Sequence, residues 1–301
     1  MTELHIRKDN TMNALLAADK FSGAALSSMI VVALFCTAVP FIFLGYFRAK
    51  TGAKLSSFFI GMGFYVLFAF VAEGILNALL FNLFSFKDVL NRSTHPVWYA
   101  LYGAVAAGVF EEMGKYFGLR YFMKDRPGKA NALMFGIGHG GFETIAYGSS
   151  LFMGNIILAL MVNSLGMEEY LAKLDLKGNA LTDYRNAIGE LIAIPPAENV
   201  AAGSERLLAL IFQTALTILI FLAIQNIRKR FLLPAAILLH IAGYLPTYLT
   251  QVGVIRNMLL SLCLTGAVVF LTAAYAYREY KNGSCNSFNL LSNNKFPINN
   301  E

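Results

Sequence analysis

Long apolar runs broken by short polar links recur from Ala24 almost to the end of the chain. The hydrocarbon core of a bilayer takes roughly 20 such residues per helical crossing. The pattern predicts spans at 24–47, 57–83, 97–119, 130–152, 204–226, 231–250 and 256–277. The expected fold is therefore all-α, a polytopic transmembrane bundle of seven helices. Domain bounds follow from the same pattern: a polar N-terminal segment 1–23, a helical domain 24–278, and a tail 279–301. That tail is rich in Asn and Ser with little to bury, so it is expected to be disordered.

Composition agrees. Hydrophobic residues make up 57% of the chain and charged ones 14%, with a mean hydropathy of +0.57, too apolar for a soluble domain of this length. The net charge of +6 does not indicate nucleic acid, because the bases sit in short clusters beside apolar segments instead of along one soluble face. They read as orientation signals. Arg48, Lys50 and Lys54 follow the first span, Arg120, Lys124, Arg126 and Lys129 the third, and Arg228, Lys229 and Arg230 the fifth, so these loops are expected in the cytoplasm. The loop 166–203 carries six acids against three bases and is expected outside. One crossing between Lys129 and that loop satisfies both, which leaves Asn155 to Leu165 as an extension, an interfacial helix, a re-entrant piece or an eighth span. The N-terminus then lies outside and the C-terminus inside a cytoplasmic membrane. The polar start of the chain is unlike a cleavable signal peptide, so the first helix is expected to be retained. Cys36, Cys263 and Cys285 show no paired spacing and suggest neither a disulfide framework nor a cysteine metal site.

Ionised side chains near the bilayer centre are costly and mark chemistry, transport or a structural pair. Here they cluster. "VFEEMGKYFGLR" places Glu111 and Glu112 side by side with Lys115 one turn later. Adjacent helical positions diverge by about 100°, so the two acids serve different neighbours, one as catalyst or ligand and the other as tether. Lys115 is at i+4 from one and i+3 from the other, a spacing that also suits a structural ion pair. "FGIGHGGFETI" puts His139 and Glu143 on one helix face among four glycines, where a close approach by another helix or a substrate backbone is expected. "PAAILLHIAGYLP" carries His240. Counted at about 1.5 Å per residue, His139 and His240 both lie about 13 Å in from the cytoplasmic end, and the two glutamates reach the same plane. Glu73 with Asn77 is a further buried candidate, Gln213 a buried amide, and Glu205 and Arg206 a surface-facing pair at the outer end of their span.

"FEEMGKYFGLR", "FGIGHGGFE", "SERLLAL" and a late "LLH" together resemble the YhfC family of intramembrane metalloproteases, related to PrsW proteases and to the CAAX prenyl endopeptidase and bacteriocin-processing proteins. The resemblance covers about residues 30 to 275. It implies that Glu111 or Glu112 activates water, with His139 and His240 binding or polarising the reacting carbonyl and Lys115, Glu143 and Gln213 in support. Two routes follow. In one, zinc is held by His139, His240 and a glutamate (Glu143, Glu111 or Glu112) with the remaining acid as base; in the other, no metal takes part, one glutamate activates water directly and the imidazoles donate to the oxyanion. The resemblance favours zinc, although the chain has no H-E-x-x-H motif. Tyr244 stands where relatives often carry Asn or Asp, and Gln213 where a histidine is expected.

The expected function is hydrolysis of a peptide bond within or next to the membrane, with lipids and a membrane-embedded or membrane-associated peptide as partners and no nucleic acid. A proton-coupled carrier would also use intramembrane Glu and His, but no internal repeat is visible. A catalytically inactive scaffold is the third class, favoured by the departures at Tyr244 and Gln213.

Overall fold

A backbone amide in hydrocarbon finds no water, so a chain this apolar satisfies its N–H and C=O groups inside helices. The computed structural model describes residues 19–83, 86, 89–126 and 128–282, and among them there is no strand. The elements are α1 Gly23–Thr51, α2 Leu55–Asn82, α3 Pro96–Phe117, α4 Lys129–Leu165, α5 Met167–Ala172, α6 Asn179–Ala193, α7 Pro196–Gln225, α8 Leu232–Gln251 and α9 Met258–Asn282.

Among the described residues six segments are long and apolar enough to cross a membrane: α1, α2, α4, α7, α9 and Ile227–Gln251, which contains α8. The seventh expected span is α3, whose 22 residues include buried Glu111, Glu112 and Lys115. Those charges set it apart from the other six; its length, about 33 Å, suffices to cross. Asn155 to Leu165 is the unbroken end of α4, a helix of 37 residues. α9 continues past Arg278 to Asn282, and the rest of the expected tail and most of the N-terminal segment lie outside the described residues.

The burial pattern suits a lipid solvent. Leu34, Ile42, Leu238, Phe270 and Leu271 are between 64% and 71% exposed, while Glu112, Lys115, His139 and His240 are at 0%. Three helical stretches widen into π turns, at Val66–Ala72 and Leu79–Leu83, at Gly118–Phe122, and at Thr144–Ser149. Such turns cluster at functional sites. Glu73 directly follows the first of them and Glu143 directly precedes the last.

The chain divides into two compact units, one of residues up to Phe41 with Phe142–Ala209, the other of Ile42–Gly141 with Leu210 onward. In the first, Met29, Val32 and Cys36 of α1 pack with Phe152, Ile156 and Val162 of α4, and with Tyr170 of α5 and Ile188 of α6. Asn163 fastens the start of α1, accepting from Phe21 N at 2.8 Å and donating to Phe21 O at 2.9 Å. Outside the spans, Arg185 of α6 donates to both carboxylate oxygens of Glu168 on α5 and holds that carboxyl below its ordinary range.

In the second unit, α2 and α4 touch through their backbones. A Cβ on Gly138 would fall 1.9 Å from Phe58 O, and one on Gly61 would fall 2.0 Å from Phe135 O. Each helix thus offers a glycine to the other's carbonyl, the close approach that small residues permit in membranes. This contact fixes the rotation of α4 next to His139. Gly138→Ala must push α2 away and is expected to cost about 1–3 kcal/mol as overpacking. The check is thermal unfolding in detergent, where Gly154→Ala, at a position with open space around it, should leave the midpoint unchanged.

Candidate active site

Three helices of the second unit, with one residue from a fourth, assemble the ionisable side chains. α3 supplies Glu111, Glu112 and Lys115, α4 supplies His139, α7 supplies Gln213 and α8 supplies His240 and Tyr244. The two adjacent glutamates do take different partners. Glu112 is the clamped one: its Oε1 accepts from Lys115 Nζ at 2.5 Å and from His240 Nδ1 at 2.7 Å. Lys115 Nζ also donates to Gln213 Oε1. Gln213 Nε2 turns the other way, donating to Glu111 Oε2 at 2.7 Å and to the Tyr244 hydroxyl at 3.1 Å. One amide therefore couples the ammonium to the second carboxylate.

Glu111 sits between two imidazoles. His139 Nε2 is 3.3 Å from its Oε2, and His240 Nε2 is 4.0 Å from its Oε1. The first separation is a long hydrogen bond; the second is too wide for one and suits a bridging water. Among the described residues three buried side-chain atoms have no hydrogen-bond partner: Glu112 Oε2, His139 Nδ1 and His240 Nε2. Because His240 Nδ1 faces a carboxylate that can only accept, it carries the ring proton, and Nε2 of the neutral ring presents a lone pair. Aromatic rings hold both imidazoles. Tyr65 meets His139 edge-on at 5.0 Å, and Tyr244 stacks on His240 at 4.6 Å and 20°.

Glu73 hydrogen-bonds Asn77, whose carbonyl oxygen accepts from the Tyr102 hydroxyl. Glu143 belongs to a different cluster, in the first unit. Its Oε1 lies 3.7 Å from Arg206, which also pairs with Glu205 at 3.0 Å. The Arg206 and Glu205 side chains are only 12% and 14% exposed, so the pair expected at the surface is largely covered, and its Arg206 is the counter-charge of Glu143.

The ligand set read for zinc, His139, Glu143 and His240, is not assembled: among the described residues no group of three or more His, Cys, Asp or Glu is placed to hold a metal ion. The donor chemistry explains why. Glu111 Oε2, which faces His139, is already engaged by Gln213, and Glu112 Oε1, which faces His240 Nδ1, is already engaged by Lys115, whose ammonium brings positive charge to the cluster. The residues as arranged do not fit the ion. Sequence reading also passed over Tyr65 and took Tyr244 only as a departure; a tyrosine inside an apolar run gives no signal until its neighbours are known.

A helical membrane protein with a closed cluster of acids, imidazoles and one ammonium inside its bundle is the class defined so far. The family model for YhfC intramembrane metalloprotease matches residues 35–265, and the chain belongs to that family. It is 35% identical over 220 residues to a Bacillus subtilis (strain 168) protein named "Uncharacterized membrane protein YhfC", an overlap covering 73% of this chain and 82% of the relative. No solved structure matches.

Breaking a buried ion pair costs about 3–5 kcal/mol, whereas replacing both partners with apolar groups is often neutral. Lys115→Met should therefore lower the unfolding midpoint sharply, and Lys115→Met with Glu112→Leu should recover most of the loss. Thermal unfolding of the three proteins in detergent checks it; equal midpoints for the single and double variants would remove the ion pair from the account.

Proposed function

We propose that this chain is an intramembrane peptidase in which Glu111 activates water for attack on a peptide bond within or next to the membrane. The observation that carries the reading is the 4.0 Å separation between Glu111 Oε1 and His240 Nε2, with His240 Nε2 buried and lacking a hydrogen-bond partner. A water there donates one hydrogen to each acceptor and turns its lone pair outward. Glu111 removes a proton as the oxygen attacks the carbonyl carbon, the C=O electrons collapse to an oxyanion, and the same carboxyl returns the proton to the departing nitrogen as the C–N bond breaks. Water and peptide become an acid and an amine. His139, on the other oxygen of Glu111, orients that carboxylate.

Glu112 has a separate task. Held between Lys115 and His240, it fixes the tautomer of the imidazole whose other nitrogen meets the water. No step passes through a metal. Membership of a family described as intramembrane metalloproteases supports the reaction class. The basic loops support an N-terminus outside and a C-terminus inside the cytoplasmic membrane.

The test is cleavage of membrane-anchored peptides by the protein in liposomes made with 18O-labelled water. The label should enter the new carboxyl terminus. Glu111→Gln should lower the rate between about 100-fold and 10,000-fold with unfolding temperature unchanged, the range for loss of a general base. Chelator should leave the rate as it was. Cleavage by Glu111→Gln at the wild-type rate would defeat the assignment of the base; loss of activity to chelator, restored by zinc, would replace the metal-free route.

A further inference from the structure

At one end of the second unit, away from the acids, lies a cavity of about 230 Å³. It forms where α3 runs out through its π turn, α4 begins and α7 ends. Its walls are of two kinds: Leu119, Met123 and Ala132 with Phe221 and Ile224 are apolar, and Arg120, Lys124 and Arg126 are basic. Arg126 Nε donates to Ser56 Oγ at 3.1 Å. Among the described residues no carboxylate forms an ion pair with any of the three bases, and Asp125, between two of them, forms none either. Around the same helix ends, Tyr121, Phe122, Ile227 and Phe231 are between 55% and 70% exposed. Exposed aromatics beside basic helix ends are typical of the headgroup level of a bilayer.

Three cations without acidic partners over an apolar floor suit a ligand with an anionic head and an apolar body. At headgroup depth a phospholipid has both. We propose that this cavity binds one anionic phospholipid, its phosphodiester on Arg120, Lys124 and Arg126 and its glycerol and first methylenes on Leu119, Phe221 and Ile224. A basic pocket between helices at a membrane face is the recognised form of such a site. Surface attraction alone would gather anionic lipid loosely around the whole basic rim; the cavity confines one molecule.

Native mass spectrometry of the full-length protein in detergent, titrated with phosphatidylglycerol, phosphatidylcholine or inorganic phosphate, tests it. One phosphatidylglycerol should be retained in preference to phosphatidylcholine. Each base is worth about fivefold in anionic-lipid binding, so Arg120→Gln with Lys124→Gln should weaken retention about 30-fold. Both side chains are exposed, and unchanged thermal unfolding verifies that the variant folds. Ile224→Trp keeps every charge and fills the cavity; it should also lose the lipid, while Arg48→Gln with Lys50→Gln, elsewhere in the basic loops, should keep it. Equal retention of the two lipids, or retention by the charge variant, overturns the proposal. Retention by Ile224→Trp would assign binding to the rim and not the cavity, and displacement of the lipid by millimolar phosphate would make the ligand a free anion; each overturns it as stated.

Discussion

The Lys115 ammonium is the constraint on which the buried cluster depends. Two ionised carboxylates cannot share a low-dielectric interior without positive charge beside them. Lys115 meets Glu112 directly and reaches Glu111 only through the Gln213 amide. The two acids are therefore unequal from the outset. One is held in direct contact with the cation; the other meets it only through an amide and faces two imidazoles. Division of labour between neighbouring acids follows from the position of a single cation.

That cation works only if the helices carrying its partners are held at a fixed rotation. α4 is fixed by glycine-to-carbonyl contact with α2, a contact with no side chain that could change rotamer and let the helix turn. The Tyr65 ring then braces His139, as Tyr244 braces His240. Both imidazoles keep one nitrogen toward Glu111 although no backbone hydrogen bond orients them. Packing of small and aromatic residues does here what hydrogen bonds to the ring do in many soluble sites.

Depth was legible in the sequence and rotation was not. Rise per residue is nearly constant in a helix, so counting from the basic ends put His139, His240 and the paired acids on one level, and the structure brings them together. Which way a side chain points around its helix depends on neighbours. The i+4 spacing of His139 and Glu143 suggested one shared site, but the π turn that starts at Thr144 and the guanidinium of Arg206 give Glu143 a cluster of its own. Arg206 looked like a surface residue because the apolar run of its span begins at 204; the helix itself starts at Pro196 and tertiary packing covers most of Arg206 against Glu143. Gln213 was readable only as a buried amide. Its role appears once its two ends are seen to serve opposite partners.

The same reasoning bears on the metal that the family description suggests. A hydrolytic site needs positive potential near the developing oxyanion, and a divalent ion and a buried ammonium are two ways to supply it. They make opposite demands on the surrounding donors. A metal draws carboxylate oxygens and imidazole lone pairs toward one point, whereas an ammonium gives protons outward to separate acceptors. Around Lys115 the acceptors are spread, with Glu112 on one side and Gln213 on another. A positive charge carried on the chain needs no loading and cannot be lost to competition. It also cannot act as a Lewis acid, so in the peptidase proposed above the activation of water falls to a carboxylate, and Glu111 is the one not clamped by Lys115.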